Sequence, residues 1–225
     1  MNSQFKLDNP VWYSLSETQH QIAIDLDQLK CYHPDYCPFV AATDSNSVAV
    51  QLQQYAQLVD NFYLVGEKPV LPANLVFVKE LVCLQMVIEH RIDVVFTMPI
   101  ISLNKEYVPE LFELVNLVQP GYFKSKTVQL GAYRGIFNDG QLVAVAGERM
   151  KMESFVEVSA IVTHPDHTGR GYAKQLTAHT ANDIISQGKI PFLHVAADNL
   201  RAIKLYESLG FRTRRKISFW NMLKS

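Results

Sequence analysis

The sequence predicts an α/β (α+β) fold: a central mixed, mostly antiparallel sheet flanked by helices, with a smaller α/β region ahead of it. Three observations carry this. From about Ile92 onward, short β-rich apolar runs alternate with longer amphipathic ones in the order β-α-β-β-β-α-β-α-β. Asn138-Asp139-Gly140 separates two apolar, β-rich runs, a strong hairpin signal and therefore a signal for antiparallel pairing. The amphipathic runs end at Pro120-Gly121, at Gly188 with Pro191, and at Gly210, residues that stop helices.

The elements follow in order. Residues 16–32 place Ile22, Ile24, Leu26 and Leu29 among polar residues and read as a helix; residues 46–58, with Val48, Val50, Leu52, Tyr55 and Leu58, read as a second. NFYLVGE suggests a short strand closed by Gly66, and the apolar residues 75–90 suggest one or two strands. A soft boundary within residues 90–104 divides an N-terminal α/β domain (1–90) from a second domain (91–225). Beyond it, residues 92–98 read as a strand and 105–118 as a helix striped by Val108, Leu111, Leu114, Val115 and Val118. Residues 128–137 and 141–148 form the predicted hairpin, and 155–163 another strand. A helix over 169–187 shows Ala173, Leu176, Thr180 and Ile184 on one face. A buried strand at 192–196, a helix at 200–209 and a strand at 216–222 complete the chain. No repeat is visible in the sequence.

Composition narrows the function. With 225 residues, 48% hydrophobic and 19% charged, the chain is globular. A net charge of −1 argues against nucleic acid or an anionic membrane as partner. The start, MNSQFKLDNP, has no secretory pattern, and no apolar run approaches the roughly 20 residues of a membrane helix, so a cytoplasmic location is expected. The three cysteines, Cys31, Cys37 and Cys83, make no disulfide framework. CYHPDYC (residues 31–37) matches no zinc spacing and lacks a fourth ligand, so packed, reduced thiols are expected.

HPDHTGRGYA (residues 164–173) joins a predicted strand to a predicted helix. Backbone N–H groups at a helix start lack partners, and the helix dipole favours anions there. Gly169 and Gly171 let an anion approach the backbone, and Arg170 offers a charge-assisted contact. Three readings compete: a plain glycine-bearing turn, a dinucleotide site, or another pyrophosphate cradle. The dinucleotide fingerprint needs a third glycine where Lys174 stands. His164 and His167 lack helical i, i+4 spacing and a third ligand, so no metal is expected.

Two stretches resolve the choice. SAIVTHPDHTGRGYAKQL resembles motif A of the GNAT superfamily of N-acyltransferases, Arg/Gln-x-x-Gly-x-Gly/Ala, here Thr168-Gly169-Arg170-Gly171-Tyr172-Ala173. LHVAADNLRAIKLYESLGF (residues 193–211) resembles motif B. The resemblance covers about residues 92–225. NPVWYSL and YHPDYCPF are similar to a two-domain branch related to glycine N-acyltransferases, with residues 1–90 as a substrate-covering or degenerate GNAT-like domain. One departure stands out: Thr168 replaces the usual Arg or Gln, offering a hydroxyl but no charge.

The resemblance implies transfer of an acetyl or other acyl group from acyl-CoA, as co-substrate, to a primary amine of a small molecule or amino acid, in a ternary complex. It implies a pyrophosphate cradle at Thr168, Gly169, Arg170, Gly171, Tyr172 and Ala173, and pantetheine held by the main chain of Ile161, Val162 and Thr163. A backbone N–H of the same strand polarises the carbonyl. Tyr206 is the expected acid for the leaving thiolate, a phenol of pKa about 10 against a thiol of about 8.5; its plain alternative is a core tyrosine. Asn199, seven residues earlier, either caps the helix or touches pantetheine. Glu157 is the expected base, directly or through water, on one strand face with Ser159 and Ile161; its alternatives are an ammonium contact or a solvated strand residue. Two other functions fit the sequence: a non-catalytic acyl-CoA sensor and a protein N-acetyltransferase.

Overall fold

The computed structural model describes residues 3–225. The chain runs α1 (Pro10–Ser16), β1 (Ala23–Leu26), β2 (Leu29–Tyr32), β3 (Phe39–Ala42), α2 (Ala49–Tyr55), β4 (Asn61–Val65), β5 (Leu75–Val87), β6 (Ile101–Ser102), α3 (Val108–Val118), β7 (Tyr133–Asn138), β8 (Gln141–Lys151), β9 (Phe155–Thr163), α4 (Tyr172–Ser186), β10 (Ile190–Ala196), α5 (Leu200–Ser208) and β11 (Arg212–Lys224). All strands join one mixed sheet in the order β1-β2-β3-β4-β11-β5-β10-β9-β8-β7-β6. Pairing is antiparallel except for β3–β4 and β9–β10. β5, which precedes residue 90, lies between β10 and β11, which follow it.

The expected helix over residues 16–32 is instead the β1–β2 hairpin. Ile22, Ile24 and Leu26 repeat every second residue, a strand period, and Asp27 takes φ 62 in a two-residue turn between paired Leu26 and Leu29. Asp tolerates that left-handed conformation because its short polar side chain bonds locally. The expected helix over 46–58 shortens to α2, leaving Val50 and Leu58 exposed. The expected strand over 92–98 is irregular. Both backbone groups of Ile92 bond the Asn182 side chain of α4 at 2.8 Å, and the Thr97 N–H bonds Gln175 Oε1 at 2.7 Å. Side chains of α4 therefore take the backbone bonds a neighbouring strand would need. The two-residue β6 supplies the first strand of the predicted run. Residues 128–137 yield a strand only from Tyr133 onward, since Thr127–Leu130 forms a 3-10 turn.

Strand alternation distributes the core. Tyr32, Phe39, Phe155 and Phe192 pack with Leu7, Val11 and Leu15 on the α1 side. Their neighbours Val156 and Leu193 pack against Ala178, Ala181 and Ile184 of α4 and Ile203 and Tyr206 of α5. Burying each such large apolar side chain stabilises the fold by about 1.5–3 kcal/mol. The result anchors β9 and β10 on both faces.

Candidate active site

The parallel β9–β10 pairing runs from Phe155↔Ile190 to Glu157↔Phe192 and stops, although β9 continues to Thr163 and β10 to Ala196. The strands splay, leaving a β9 edge unpaired on the β10 side. Within that stretch Ala160 has φ 50, and two β9 residues, Ala160 and Ile161, oppose one on β8 between the pairs Val162↔Val145 and Ser159↔Gly147. This bulge takes Ile161 out of the alternation expected for Glu157, Ser159 and Ile161. Residues 158–161 all line a pocket of about 370 Å³, whereas Glu157 does not.

Beyond β9 the chain makes a 3-10 turn at Pro165–His167 and enters α4. Gly169 (φ 80) and Gly171 (φ 76) hold left-handed conformations, and Gly171 is the N-cap of α4. Glycine is needed there for backbone freedom, since an added Cβ would meet nothing closer than 4.0 Å. A groove of about 460 Å³ runs from this turn to α5, and its walls contain Ile161, Thr163, all of Thr168–Ala173, Asn199 and Tyr206. Among the predicted site residues, Val162 and Glu157 are outside these walls. Val162 is buried against Leu111, Leu114 and Val115 of α3, on the other face of the sheet. Tyr172 turns its ring into the core beside Leu176, so only its backbone serves the groove.

Three side chains take definite roles. Thr168 Oγ1 donates to the Pro165 carbonyl at 3.2 Å, so its hydroxyl proton ties the turn rather than facing a ligand. Asn199 caps α5 by accepting from the Ala202 N–H at 3.1 Å while also lining the groove. Tyr206 is nearly buried and lines both the groove and the neighbouring pocket, so it stands where they meet. Burial pushes its phenol well above the usual range.

Glu157 is fully buried and saturated. It accepts from Arg149 Nε and Nη2 at 2.7 Å each, from His194 Nδ1 at 2.8 Å and from the Met150 N–H at 3.4 Å. Burial alone would raise its pKa, but the charge and hydrogen bonds of Arg149, with His194, outweigh this and hold it at about 2. A carboxylate held this way is a poor proton acceptor, so the geometry does not favour the base role expected of it. The network continues outward. Arg214 Nη1 donates to Gln85 Oε1 at 3.1 Å, which turns the Gln85 amide nitrogen toward His194 Nε2 at 3.1 Å. His194 therefore accepts at Nε2 and donates from Nδ1.

The residues missed by sequence reasoning are Arg149, His194, Ser159 and Tyr122, all lining the 370 Å³ pocket. A signal for Arg149 existed: Glu148 and Arg149 follow the apolar run of residues 142–146 within one strand, and charges there need buried partners. Cys31, Cys37 and Cys83 are buried free thiols, and no cluster of three metal-binding side chains is found among the described residues. No helix among them is long and apolar enough to cross a membrane.

A splayed parallel strand pair over a glycine-bearing helix start, within a mixed sheet, defines the acetyltransferase class of fold. Comparison agrees at three levels. A family model described as FR47-like protein matches residues 131–220. A protein from Novosphingobium aromaticivorans, assigned to the acetyltransferases of the GNAT family, is 34% identical, with 97% of this chain and 98% of that one aligned at a TM-score of 0.88. GCN5-related N-acetyltransferase structures from Kribbella flavida (14% identity, 100% and 96% coverage, TM-score 0.64) and Streptococcus suis (an acetyltransferase-like protein; 15%, 94% and 92%, 0.63) share the fold. Among curated proteins no sequence matches. The chain belongs to the GNAT family.

Proposed function

We propose that the protein transfers an acetyl group from acetyl-CoA to a primary amine of a small molecule by direct attack in a ternary complex. The observation that carries this reading is the junction at Tyr206, where the long groove and the second pocket share walls. A thioester lying in the groove meets an amine lying in the pocket there, and such juxtaposition supplies much of the rate enhancement.

Backbone N–H groups of residues 169–173, at the positive end of the 15-residue α4, grip the pyrophosphate. Exposed Arg170, Lys174 and Arg201 surround it with charge. The unpaired β9 edge at Ile161, Val162 and Thr163 pairs with pantetheine as an added strand. The bulge residues Ser159, Ala160 and Ile161 line the pocket, and a backbone N–H among them polarises the thioester carbonyl. Tyr206 keeps its proton at neutral pH and donates it, or a hydrogen bond, to the leaving thiolate. Glu157 serves to position Arg149 and His194. No Asp or Glu lines the pocket, so the amine enters in its neutral form and the rate rises with pH along the acceptor's own titration.

A small acceptor is favoured over a protein. Phe39, Leu81 and Cys83, all from residues 1–90, wall the pocket, which supports a substrate-covering role for this part of the chain. Placement in a two-domain branch similar to glycine N-acyltransferases, and a cytoplasmic location, belong to the same proposal. A thiol-release assay with acetyl-CoA and an amine panel tests it. Amine-dependent release is expected; tight coenzyme binding with no release for any amine would establish a sensor instead.

A further inference from the structure

The geometry points to Arg149 as the specificity-determining residue of the acceptor pocket, selecting amines that carry a carboxylate and an apolar side chain. This rests on the acyltransferase reading and names the substrate class of that same site.

Arg149 is the one fully ionised side chain among those lining the 370 Å³ pocket. A guanidinium has five N–H donors. Glu157 engages the Nε edge, using Nε–H and one hydrogen of Nη2. No residue bonds Nη1 among the described ones, so both Nη1 hydrogens and the second Nη2 hydrogen remain. One Nη1 hydrogen and the second Nη2 hydrogen form the end-on face of the guanidinium, which matches a second carboxylate with two parallel hydrogen bonds, while the other Nη1 hydrogen points to the Cδ side. The group is also held still: its central carbon sits 4.7 Å from the Phe39 ring centroid, and its side chain is 15% exposed. A fixed, partly desolvated cation with an unused bidentate face recognises a planar anion.

The rest of the pocket specifies the remainder of the acceptor. Phe39, Leu81, Tyr122, Val158 and Phe219 give it apolar and aromatic walls. A polycationic amine would find no carboxylate to pair with, because Glu157 is taken up by Arg149 and His194 and no Asp or Glu lines the pocket. An apolar α-amino acid satisfies each requirement: its carboxylate on Arg149, its side chain on the aromatic wall, and its amine free to reach the junction at Tyr206.

The test compares L-leucine and L-phenylalanine with their amides and with the corresponding decarboxylated amines. Thiol release from acetyl-CoA is measured and corrected for each acceptor's fraction of free amine. The amino acids are expected to exceed both analogues by about ten- to hundredfold in kcat/KM, the usual value of hydrogen bonds to a charged group. R149K retains a cation opposite Glu157, and there the ratio of amino acid to amide should fall toward one, with KM changing more than kcat. Equal use of amides and decarboxylated amines by the wild-type protein overturns the inference and leaves the acyltransferase reading intact. If no acceptor is used at all, that reading fails. Thermal unfolding of the wild-type protein with CoA then reads the pocket alone: stabilisation by the amino acids but not the amides supports Arg149's role, and equal shifts overturn it.

Discussion

The two ends of the sheet are built on the same plan. β1, β2 and β3 are antiparallel, α2 crosses over, and β4 pairs parallel to β3; β7, β8, β9, α4 and β10 repeat that arrangement. Each set then pairs with the other's last strand, β4 with β11 and β10 with β5. Both parallel pairs splay, β3–β4 after Val40↔Leu64 and β9–β10 after Glu157↔Phe192. The difference lies in what meets each gap. Between β3 and α2 the chain reads TDSNSV, without glycine, and α2 has 7 residues; between β9 and α4 it has Gly169 and Gly171, and α4 has 15. At the first gap Asn9 Nδ2 already bonds the Ala42 carbonyl at 2.8 Å. The recess there, of about 330 Å³, is polar and includes the ion-paired Asp8 and Arg215. The second gap keeps its strand edge open. Topology supplies two splayed pairs, and the loop and helix that follow determine which one offers the proposed coenzyme cradle.

The strongest way to disturb the contrast is Glu157→Gln. β3–β4 meets across aromatic contacts such as Phe39–Tyr63, at a centroid distance of 5.9 Å, while β9–β10 is tied by the buried Arg149–Glu157–His194 network. Removing one buried charge leaves Arg149 uncompensated and costs about 3–5 kcal/mol, read in denaturant unfolding. The wild-type network also has a pH signature. The Glu157 pKa falls from 4.5 to about 2 on folding, so its stabilisation is present above about pH 4.5 and is lost as pH drops toward 2. That amounts to about 3 kcal/mol by linkage, and E157Q should lack this part of the acid dependence. An identical acid transition in both proteins would refute it.

Tyr206→Phe comes next. It leaves the groove's shape intact and removes one hydroxyl at the junction, so kcat should fall about a hundredfold while the Kd for CoA stays unchanged. Full activity in this variant excludes Tyr206 as the acid. Gly171→Ala is smaller. A Cβ at φ 76 strains the cradle by about 1–2 kcal/mol, weakening CoA roughly tenfold by calorimetry. Ser45→Ala, in the corresponding loop of the first half, should leave CoA affinity unchanged; a comparable loss would mean that the first gap binds coenzyme too.

How much of this was legible in the sequence follows from where the signals reside. The second half carries its candidate site in two short stretches, so the gathering of Thr168–Ala173, Asn199 and Tyr206 around one groove was readable from spacing together with family resemblance, and strand β9 was predicted with its observed limits. Ile22, Ile24 and Leu26 misled because a short apolar run does not declare its period until Asp27 makes its turn. The duplicated plan left no repeat in the sequence, because strand order is a property of pairing. Arg149 and Glu157 are eight residues apart along the chain and meet only across the β8–β9 hairpin, where Glu157 bonds Arg149 and His194, which line the pocket while it does not. Glu157 was thus recognised as important and given a role its partners do not favour.

Thr168→Arg sharpens the comparison most finely, because it alters the cradle without touching the strands. Thr168 is exposed, with φ −67 and ψ 159, a conformation any residue adopts, so Arg fits without backbone strain. The substitution removes the hydroxyl bond to the Pro165 carbonyl but keeps the N–H bond to the same oxygen at 3.4 Å. It adds a guanidinium beside the N-terminus of α4, where a pyrophosphate is to sit. A solvent-exposed charge contact contributes only about 0.2–1 kcal/mol, so CoA should bind up to about fivefold tighter, with the gain shrinking as salt rises. A weaker Kd would show that the Thr168–Pro165 bond orders the turn by more than the new charge contributes. The cradle would then owe its affinity to the backbone that the first half of the chain lacks.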